Sequence, residues 1–465
     1  MTCLLDLSHE LLQGILSEVD GHDLAALNAT CRAFNSFVKG NRILCKSVYL
    51  RSWDSPAEAE PCWETSVRNL VALKKLLESE NLETKREAFE WAAPLITPLL
   101  TVKNGKKNTR FLADLFKSQN NIDAFLASSS LFESAGNLTQ QPATTSELRQ
   151  LAAKLHCLYG VPIDCQIPPM LVHEDSDDNS PSPSYSVLWH PDSAAESVQI
   201  STNNYARAVV YDLRRYTEES FWGPFKSDGS QNVDWEKVEA IMVVLGYNMR
   251  LFNRRAPHVF EPIWETPFNG ASPNSYVSAP PKGLVREPSP PGDLDMQDPY
   301  GITGEWMRVV CFLDYHDLFA FNFLHSVPAD QPRDPINTRE AIRIIRLKLR
   351  VSAIEPPGPE DGQDYPVVSF TGTSWSLHAS WDANANSQIR ERWRSEGIQV
   401  GGIRSGRGVL GNWFDKDFDR HGPAGPTAFW KVSDYIEDKD AEEGAPDDAS
   451  LGDDDSDGDT EYMSD

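Results

Sequence analysis

The chain predicts an α+β protein with its helices first and its sheet last. Up to about residue 255, apolar residues recur at the period of amphipathic helices. After about residue 300 the period falls to two. In Ile345-Arg346-Leu347-Lys348-Leu349-Arg350-Val351 every second residue is apolar and the others are cationic, which makes a strand with one buried face. The final stretch, 436–465, holds fourteen acids and one lysine. Such a run cannot offset its ordering entropy by burying apolar surface and reads as a disordered tail. These features divide the chain at 1–55, 56–170, 171–200, 201–255, 256–300, 301–435 and 436–465.

The first segment, 1–55, is a compact cluster of short helices. Apolar residues at 7, 11, 12, 15, 16 and 19 make a wide helix face. Asp6 or Ser8 can cap its start, Gly21 ends it, and Asp20 or His22 can cap the next helix. Leu24, Leu27, Cys31 and Phe34 continue the spacing to Gly40, and a last helix spans about Ile43 to Leu50. So few residues cannot bury all these apolar faces on one another, so part of the surface needs a partner.

In 56–170, Val67, Leu70, Leu73 and Leu77 form one helical stripe. Pro94 and Pro98 are expected to break a second helix. Phe111, Leu112, Leu115 and Phe116 form a third, and a fourth is capped by Ser146 and stopped by Gly160. Segment 171–200 contains EDSDDNSPSPS at 174–184 and reads as an acidic, Ser- and Pro-rich loop. Two helices follow in 201–255, near 205–216 and 234–252, around an aromatic turn at Trp222-Gly223-Pro224-Phe225. Segment 256–300 is Pro-rich and irregular. In 301–435 strands are expected at 305–315, 318–323, 345–351, 367–371, 375–381, 398–403 and 428–432, with a hairpin turn at Tyr315-His316-Asp317. Many short strands without intervening helices favour an antiparallel barrel or sandwich.

A net charge of −26 argues against nucleic acid as a partner. No apolar run reaches membrane-spanning length, and no signal peptide is recognisable, so a cytoplasmic or nuclear protein is expected. Seven irregularly spaced cysteines read as reduced thiols. No nucleophile elbow, Walker loop or HExxH is present, so no catalytic residue, cofactor or metal is expected. Gly406-Arg407-Gly408-Val409-Leu410-Gly411 spells GxGxxG, but no amphipathic helix follows, and the glycines read as bends between strands. Asp415, Asp417 and Asp419, near Asp382, read as a solvated acidic loop rather than a cation site. Arg390, Arg392, Arg394, Arg404 and Arg407 are either an exposed cationic strand face or a pocket for an anionic ligand or phosphopeptide.

The run Leu7-Ser8-His9-Glu10-Leu11-Leu12, Ile15-Leu16, Asp23-Leu24, Leu27, Thr30-Cys31-Arg32-Ala33-Phe34 and Leu44-Cys45-Lys46-Ser47-Val48 resembles an F-box. Ser8 stands where proline is usual and Cys45 where tryptophan is common. Across nearly the whole chain, blocks such as 153–160, 210–216, 221–225, 304–315, 392–402 and 422–426 resemble large F-box proteins of filamentous fungi. The β half more distantly resembles the substrate domain of cyclin-binding F-box proteins. The resemblance implies a non-catalytic receptor that binds the Skp adaptor, and through it a cullin, and presents an unidentified protein substrate to an SCF-type ubiquitin ligase. It assigns adaptor contact to Leu7, Leu11, Ile15, Leu16, Leu24 and Leu44. Substrate contact falls to Trp306, Arg308, Arg392, Trp393, Arg404 and Trp413. Other readings are a Skp-binding scaffold outside a ligase and a small-ligand β-barrel. Relatives are expected to carry a further strand pair between Arg390 and Glu391, so the sheet near 381–403 is expected to be open or irregular.

Overall fold

The computed structural model describes residues 4–56, 61–135, 145–163, 194–257, 259–260, 263–279, 292–328, 331–359, 361–377, 393–419 and 421–436. The acidic loop at 174–184, the 381–392 junction with Arg392, Asp382 and the tail from 437 lie outside these residues.

Four helices open the chain: α1 (His9–Ser17), α2 (Gly21–Thr30), α3 (Arg32–Val38) and α4 (Arg42–Ser52). Each start but one is capped by a side chain that accepts an otherwise orphaned backbone N–H. Ser8 accepts from Leu11 N, Asp20 from Asp23 N and Asn41 from Leu44 N, whereas Cys31 makes no such bond before α3. Ser8 thus replaces a helix-starting proline by capping. Gly21 does not end the first helix but begins α2. A Cβ there would lie 2.9 Å from Val71 Cγ2, so its bareness lets α2 approach the next helix.

That next helix, α5 (Trp63–Glu78), buries Trp63, Val67, Leu70, Leu73 and Leu77, the stripe expected. It is followed by α6 (Leu82–Glu87), α7 (Phe89–Leu100), α8 (Lys106–Leu115), α9 (Gln119–Phe125), α10 (Ser130–Ser134) and α11 (Ser146–Tyr159). Pro94 and Pro98 do not break α7; both lie inside it. An interior proline costs about 3 kcal/mol. Burial of Phe89, Ile96, Leu99 and Leu100 offsets it at roughly 1.5–3 kcal/mol per side chain. The cap of α11 is Thr145, not Ser146, and Gly160 stops it in the left-handed conformation with φ +78.

Then come α12 (Ala194–Val210), α13 (Trp235–Arg255) and α14 (Asp293–Gln297). From Lys237 to Met249 nearly every residue of α13 is buried, because α11 and α12 pack on one side and the sheet on the other. Burial there includes Lys237, whose ammonium donates to Gly223 O at 2.9 Å and Arg215 O at 3.2 Å and sits 4.4 Å over the Tyr216 ring.

The sheet has six strands, β1 (Gly304–Leu313), β2 (Glu340–Glu355), β3 (Val367–Ser376), β4 (Trp393–Gln399), β5 (Val409–Asp415) and β6 (Ala424–Ser433). Their order is β3-β2-β1-β6-β5-β4, and every pairing is antiparallel. The expected barrel or sandwich is therefore an open half-barrel. The strands flanking 378–392 form its two opposite edges, and among the described residues no pairing joins them.

The expected strand at 318–323 and the hairpin turn at 315–317 are instead α15 (Tyr315–Phe319), capped by Asp314, running into a π turn at Ala320–Leu324. Asn322 holds this turn by donating to Leu318 O and Tyr211 O. Segments 367–371 and 375–376 are parts of the single strand β3, and β4 begins earlier than the expected 398.

Odd-numbered residues of β1 face α13. Met307, Val309 and Cys311 join Ile344, Leu410, Ala428, Trp430 and the α13 side chains in one apolar core. Two buried polar hubs fix the sheet on the helices. Glu340 accepts from Arg207 Nε at 2.6 Å, Tyr211 OH at 2.6 Å and Asn248 Nδ2 at 2.7 Å. Arg407 is fully buried and donates to Tyr159 O at 2.6 Å, Thr266 O at 3.2 Å and Ile263 O at 3.3 Å.

Two predictions follow from these buried groups. Burial depresses the Lys237 amine from 10.5 to about 7. A depressed amine favours the folded state least below about pH 7, and the penalty fades as pH rises toward its unfolded value. Between pH 7 and 8.5 the unfolded chain keeps the proton that the folded chain sheds. Stability should then rise by on the order of 1–2 kcal/mol in urea unfolding. Lys237→Met should remove most of that rise, and an unchanged slope in the variant would assign it elsewhere.

At Gly160, a Cβ would lie 2.0 Å from Arg407 Nη1 at a backbone position with φ +78. Gly160→Ala should therefore cost roughly 2–4 kcal/mol. Combined with Arg407→Met, which removes the colliding group, the loss should be clearly less than the sum of the two single losses. Strict additivity in denaturant unfolding would contradict the contact.

Candidate functional site

Two surfaces stand out, one at each end of the fold. The first is on the N-terminal helices. Leu12, Leu16, Leu24, Val38, Leu44, Cys45, Val48 and Tyr49 are buried and continuous with Trp53, Trp63, Val67 and Leu70. The module's inner face is thus covered by α5. Further bonds seat it: Asp54 and Asn108 exchange backbone–side-chain hydrogen bonds at 3.0 and 2.8 Å, and Lys107 Nζ donates to Leu50 O at 2.7 Å. Cys45, where tryptophan is common, is a core residue, and burial pushes its thiol up to about 11.

Large apolar side chains remain exposed on the other side. Leu4, Leu7, Leu11 and Ile15 follow at helical spacing, with Leu11 59% and Ile15 44% exposed, and Ile43 is exposed at the start of α4. Of the six residues assigned from sequence to adaptor contact, Leu7, Leu11 and Ile15 lie on this surface. Leu16, Leu24 and Leu44 do not: they are 1%, 3% and 0% exposed and lie in the core, where α1 packs on α4 and α2 and α4 pack on α5. Periodicity finds both faces of a short helix but cannot tell which one its own chain covers. Leu4 and Ile43 were missed because Leu4 lies in a short 3-10 turn ahead of α1 and Ile43 on a different helix, α4.

The second surface is the sheet face turned away from α13. The register places Trp306, Arg308, Val310 and Phe312 of β1 beside Lys431, Phe429 and Thr427 of β6. Beyond them lie Val409, Gly411 and Trp413 of β5, then Trp393, Ser395, Gly397 and Gln399 of β4. Arg308 Nη2 donates to Ser395 Oγ at 2.9 Å, although two strands lie between them. In a flat sheet three strand spacings are about 14 Å, further than an arginine reaches. The sheet must therefore curl toward this face, which is the concave trough of the half-barrel. Trp413 shows the same curl: its Nε1 crosses β6 to donate to Cys311 O at 3.0 Å. Gly425 permits this, since a Cβ there would sit 2.9 Å from Trp413 Nε1.

Arg308 lies near the middle of the trough. Its guanidinium stacks 4.7 Å over Phe429 and donates to Thr427 Oγ1 at 3.2 Å. No carboxylate pairs with it among the described residues, and burial holds it down at about 10. Trp393, 50% exposed, meets Trp413 edge to face with ring centres 5.1 Å apart. So Trp306, Arg308, Trp393 and Trp413 share one face, Trp413 as a buried wall. Arg404 stands in the loop between β4 and β5, at the end of the trough nearest Trp306.

The GxGxxG run makes no phosphate loop. Gly408 has φ +77 and would place a Cβ 2.2 Å from Phe429 O, and a Cβ on Gly411 would meet Glu396 O at 2.0 Å. These glycines let strands approach. The acids at 415 and 419 accept from Asp417 N and His421 N, which makes them turn formers. Asp20, His22 and Asp23 cluster at the surface, but Asp20 is occupied as a helix cap. The five described cysteines, Cys31, Cys45, Cys62, Cys157 and Cys311, are free thiols, as expected. No helix among the described residues is long and apolar enough to cross a membrane.

Residues 4–46 match the family described as the F-box domain, and the exposed apolar strip belongs to that domain. The chain therefore carries an F-box at its N-terminal end. No curated protein and no solved structure matches it.

Proposed function

We propose that this chain is the non-catalytic substrate-recognition subunit of an SCF-type ubiquitin ligase. Its F-box docks a Skp adaptor, and through it a cullin, while the half-barrel trough holds the target protein. The observation that carries the first part is the exposed strip of Leu4, Leu7, Leu11 and Ile15 on a domain whose opposite apolar face is already buried. Large apolar side chains in one stripe are costly to leave in water, and docking a partner helix on them relieves that cost.

Support for the second part is the composition of the trough. A concave surface with indole and phenyl walls and a desolvated, unpaired arginine resembles the centre of a recognition site, where aromatic and Arg anchors dominate. Trp306, Arg308, Trp393 and Trp413 are the proposed contact and wall residues. Among the described residues the small-ligand reading lacks a closed barrel to enclose its ligand.

Co-purification tests the proposal. The wild-type chain should recover both Skp adaptor and cullin. Leu11→Asp with Ile15→Asp should reduce adaptor recovery at least tenfold with an almost unchanged melting temperature, because both positions are exposed in the free chain. Leu16→Asp should instead unfold the domain, since it buries a carboxylate in the core. Undiminished adaptor recovery by the folded double variant would refute the docking surface. Adaptor without cullin would leave only a scaffold.

A further inference from the structure

The end of the sheet away from Trp306 carries an exposed row of rings. Here β1 ends at Leu313, β5 ends at Asp415 and β6 begins at Ala424. Tyr315, Phe319 and Phe323 recur every four residues through α15 and its π turn, so they share one side. Ring centres lie 6.2 Å apart for Tyr315 and Phe319 and 5.0 Å apart for Phe319 and Phe323. His421, just before β6, extends the row at 4.7 Å from Phe323. Tyr315 is 49%, Phe319 39% and Leu324 66% exposed. Single exposed apolar residues are ordinary, but a contiguous row of them marks a contact surface.

The row is held in place from behind. Leu318 is buried on the opposite side with Tyr211, Leu313 and Ile336, and Arg333 donates to Phe321 O at 2.7 Å and Asn322 O at 2.9 Å. Phe418, in the turn after β5, adopts a left-handed φ of +58 and packs 5.6 Å from Phe414 and 4.5 Å from Trp222. A bulky residue keeps that conformation only where its surroundings fix it. A surface fixed in advance loses little freedom when a partner docks. Charge then names the occupant. The Asp314 carboxylate lies 3.2 Å from His316, and that of Asp419 lies 3.9 Å from His421. Asp317 and Asp417 are exposed beside them. Among the described residues of 314–324 and 415–422, Lys416 is the one lysine or arginine, 3.9 Å from Asp417. A second copy of this chain, or its own acidic 436–465 run, would set acids against acids. A cation instead suits both the ring faces and the carboxylates.

We propose that this face docks a cationic amphipathic segment of a partner protein. The apolar side chains of that segment rest on Tyr315, Phe319 and Leu324, and its lysines or arginines reach the ring faces and the carboxylates of Asp314, Asp317, Asp417 and Asp419. The row from Tyr315 to Phe323 is about two helical turns long, so a short helix covers it. The surface lies at the ends of strands, off the trough face. Its assignment therefore stands or falls independently of what the trough holds, and its test needs neither adaptor nor target.

The probe is a short fluorescent peptide with leucines on one helical face and lysines flanking them. Its controls are a scrambled peptide of the same composition and a version with glutamate for lysine. In anisotropy titrations of the full-length chain, the first peptide should bind roughly tenfold more tightly than either control. Phe319→Ser with Leu324→Ser should weaken it roughly tenfold with an almost unchanged melting temperature, because both side chains are exposed. Asp417→Asn with Asp419→Asn should weaken it about threefold and flatten its salt dependence, while asparagine keeps the turn-forming acceptor. Undiminished binding by the folded Phe319→Ser, Leu324→Ser chain would assign the peptide to the net charge of −26 and overturn the proposal. Tyr315→Ser gives the same reading if the double variant unfolds. Equal binding of the scrambled peptide would remove the amphipathic match, and equal binding of the glutamate peptide would remove the charge match; either overturns the proposal. Self-association of the wild type that the double variant abolishes in sedimentation would place a second copy on the row instead. No binding by the wild type would refute the surface.

Discussion

The structure depends most on one buried cation. Arg407 has no carboxylate within its hydrogen bonds and instead gathers three backbone carbonyls. One closes α11 at Tyr159, and two, at Ile263 and Thr266, belong to the irregular connection. A helix C-terminus is an accumulation of unsatisfied, partly negative carbonyls, so a guanidinium there completes the helix as a cap would. Because Arg407 itself lies on the approach to β5, the same side chain fixes the sheet against the helices. The contact tolerates nothing larger than hydrogen at Gly160, and Gly270 also approaches closely, a Cβ there lying 2.9 Å from Gly406 Cα. Its cost is large: burial pulls this guanidinium down to about 9, and its Nε is unpartnered. A group so costly persists only where losing it would orphan several buried acceptors at once.

Glu340 does the corresponding job at the other end of the sheet, with Arg207 of α12, Tyr211 and Asn248 of α13 as its donors. Between the two hubs, α13 lies against one face of the sheet and cannot shift. This sets which face is free. Since the helices take the outer face, the curl turns the other into a trough, with Trp413 buried in its wall and Trp393 exposed at its edge. The trough is in this sense a by-product of how the core is satisfied.

Much of this was legible in the sequence, and the misses have common physical causes. Alternation found β1, β2 and β6 because each has one face on α13 and one on the trough. It missed β5, where Val409-Leu410-Gly411-Asn412-Trp413-Phe414 is buried on both faces and shows no period. The aromatic run Leu318–Phe323 looked like a strand because its helix is short and ends in a π turn anchored by Asn322, a tertiary contact that no local pattern announces. In the F-box, spacing marked Leu11 and Leu16 alike. Only the packing of α1 on α4 separates the exposed one from the buried one. The trough residues were chosen as conspicuous tryptophans and arginines. That four share a face follows from register: Trp306 opposite Lys431, Arg308 opposite Phe429, Ser395 opposite Trp413.

Charge separates the two surfaces further. The chain has a net charge of −26, and residues 436–465 supply half of it. At physiological ionic strength the field of a charged run fades over about 8 Å, so charge beyond that range leaves a partly desolvated cation largely unaffected. What an anionic partner meets at close range is the local set: Arg308 in a partly desolvated trough and Arg404 at its end, neither paired with a carboxylate among the described residues. Low local polarizability strengthens attraction there, whereas the same two cations on an open surface would be worth little. An acidic protein can thus select an acidic ligand, provided the ligand places its charge inside the trough. The net negative charge then acts against polyanions such as nucleic acid, which present many charges outside the trough. A single anion placed beside Arg308 and an extended polyanion would therefore meet different fields, because among the described residues the sheet curls toward the face away from α13.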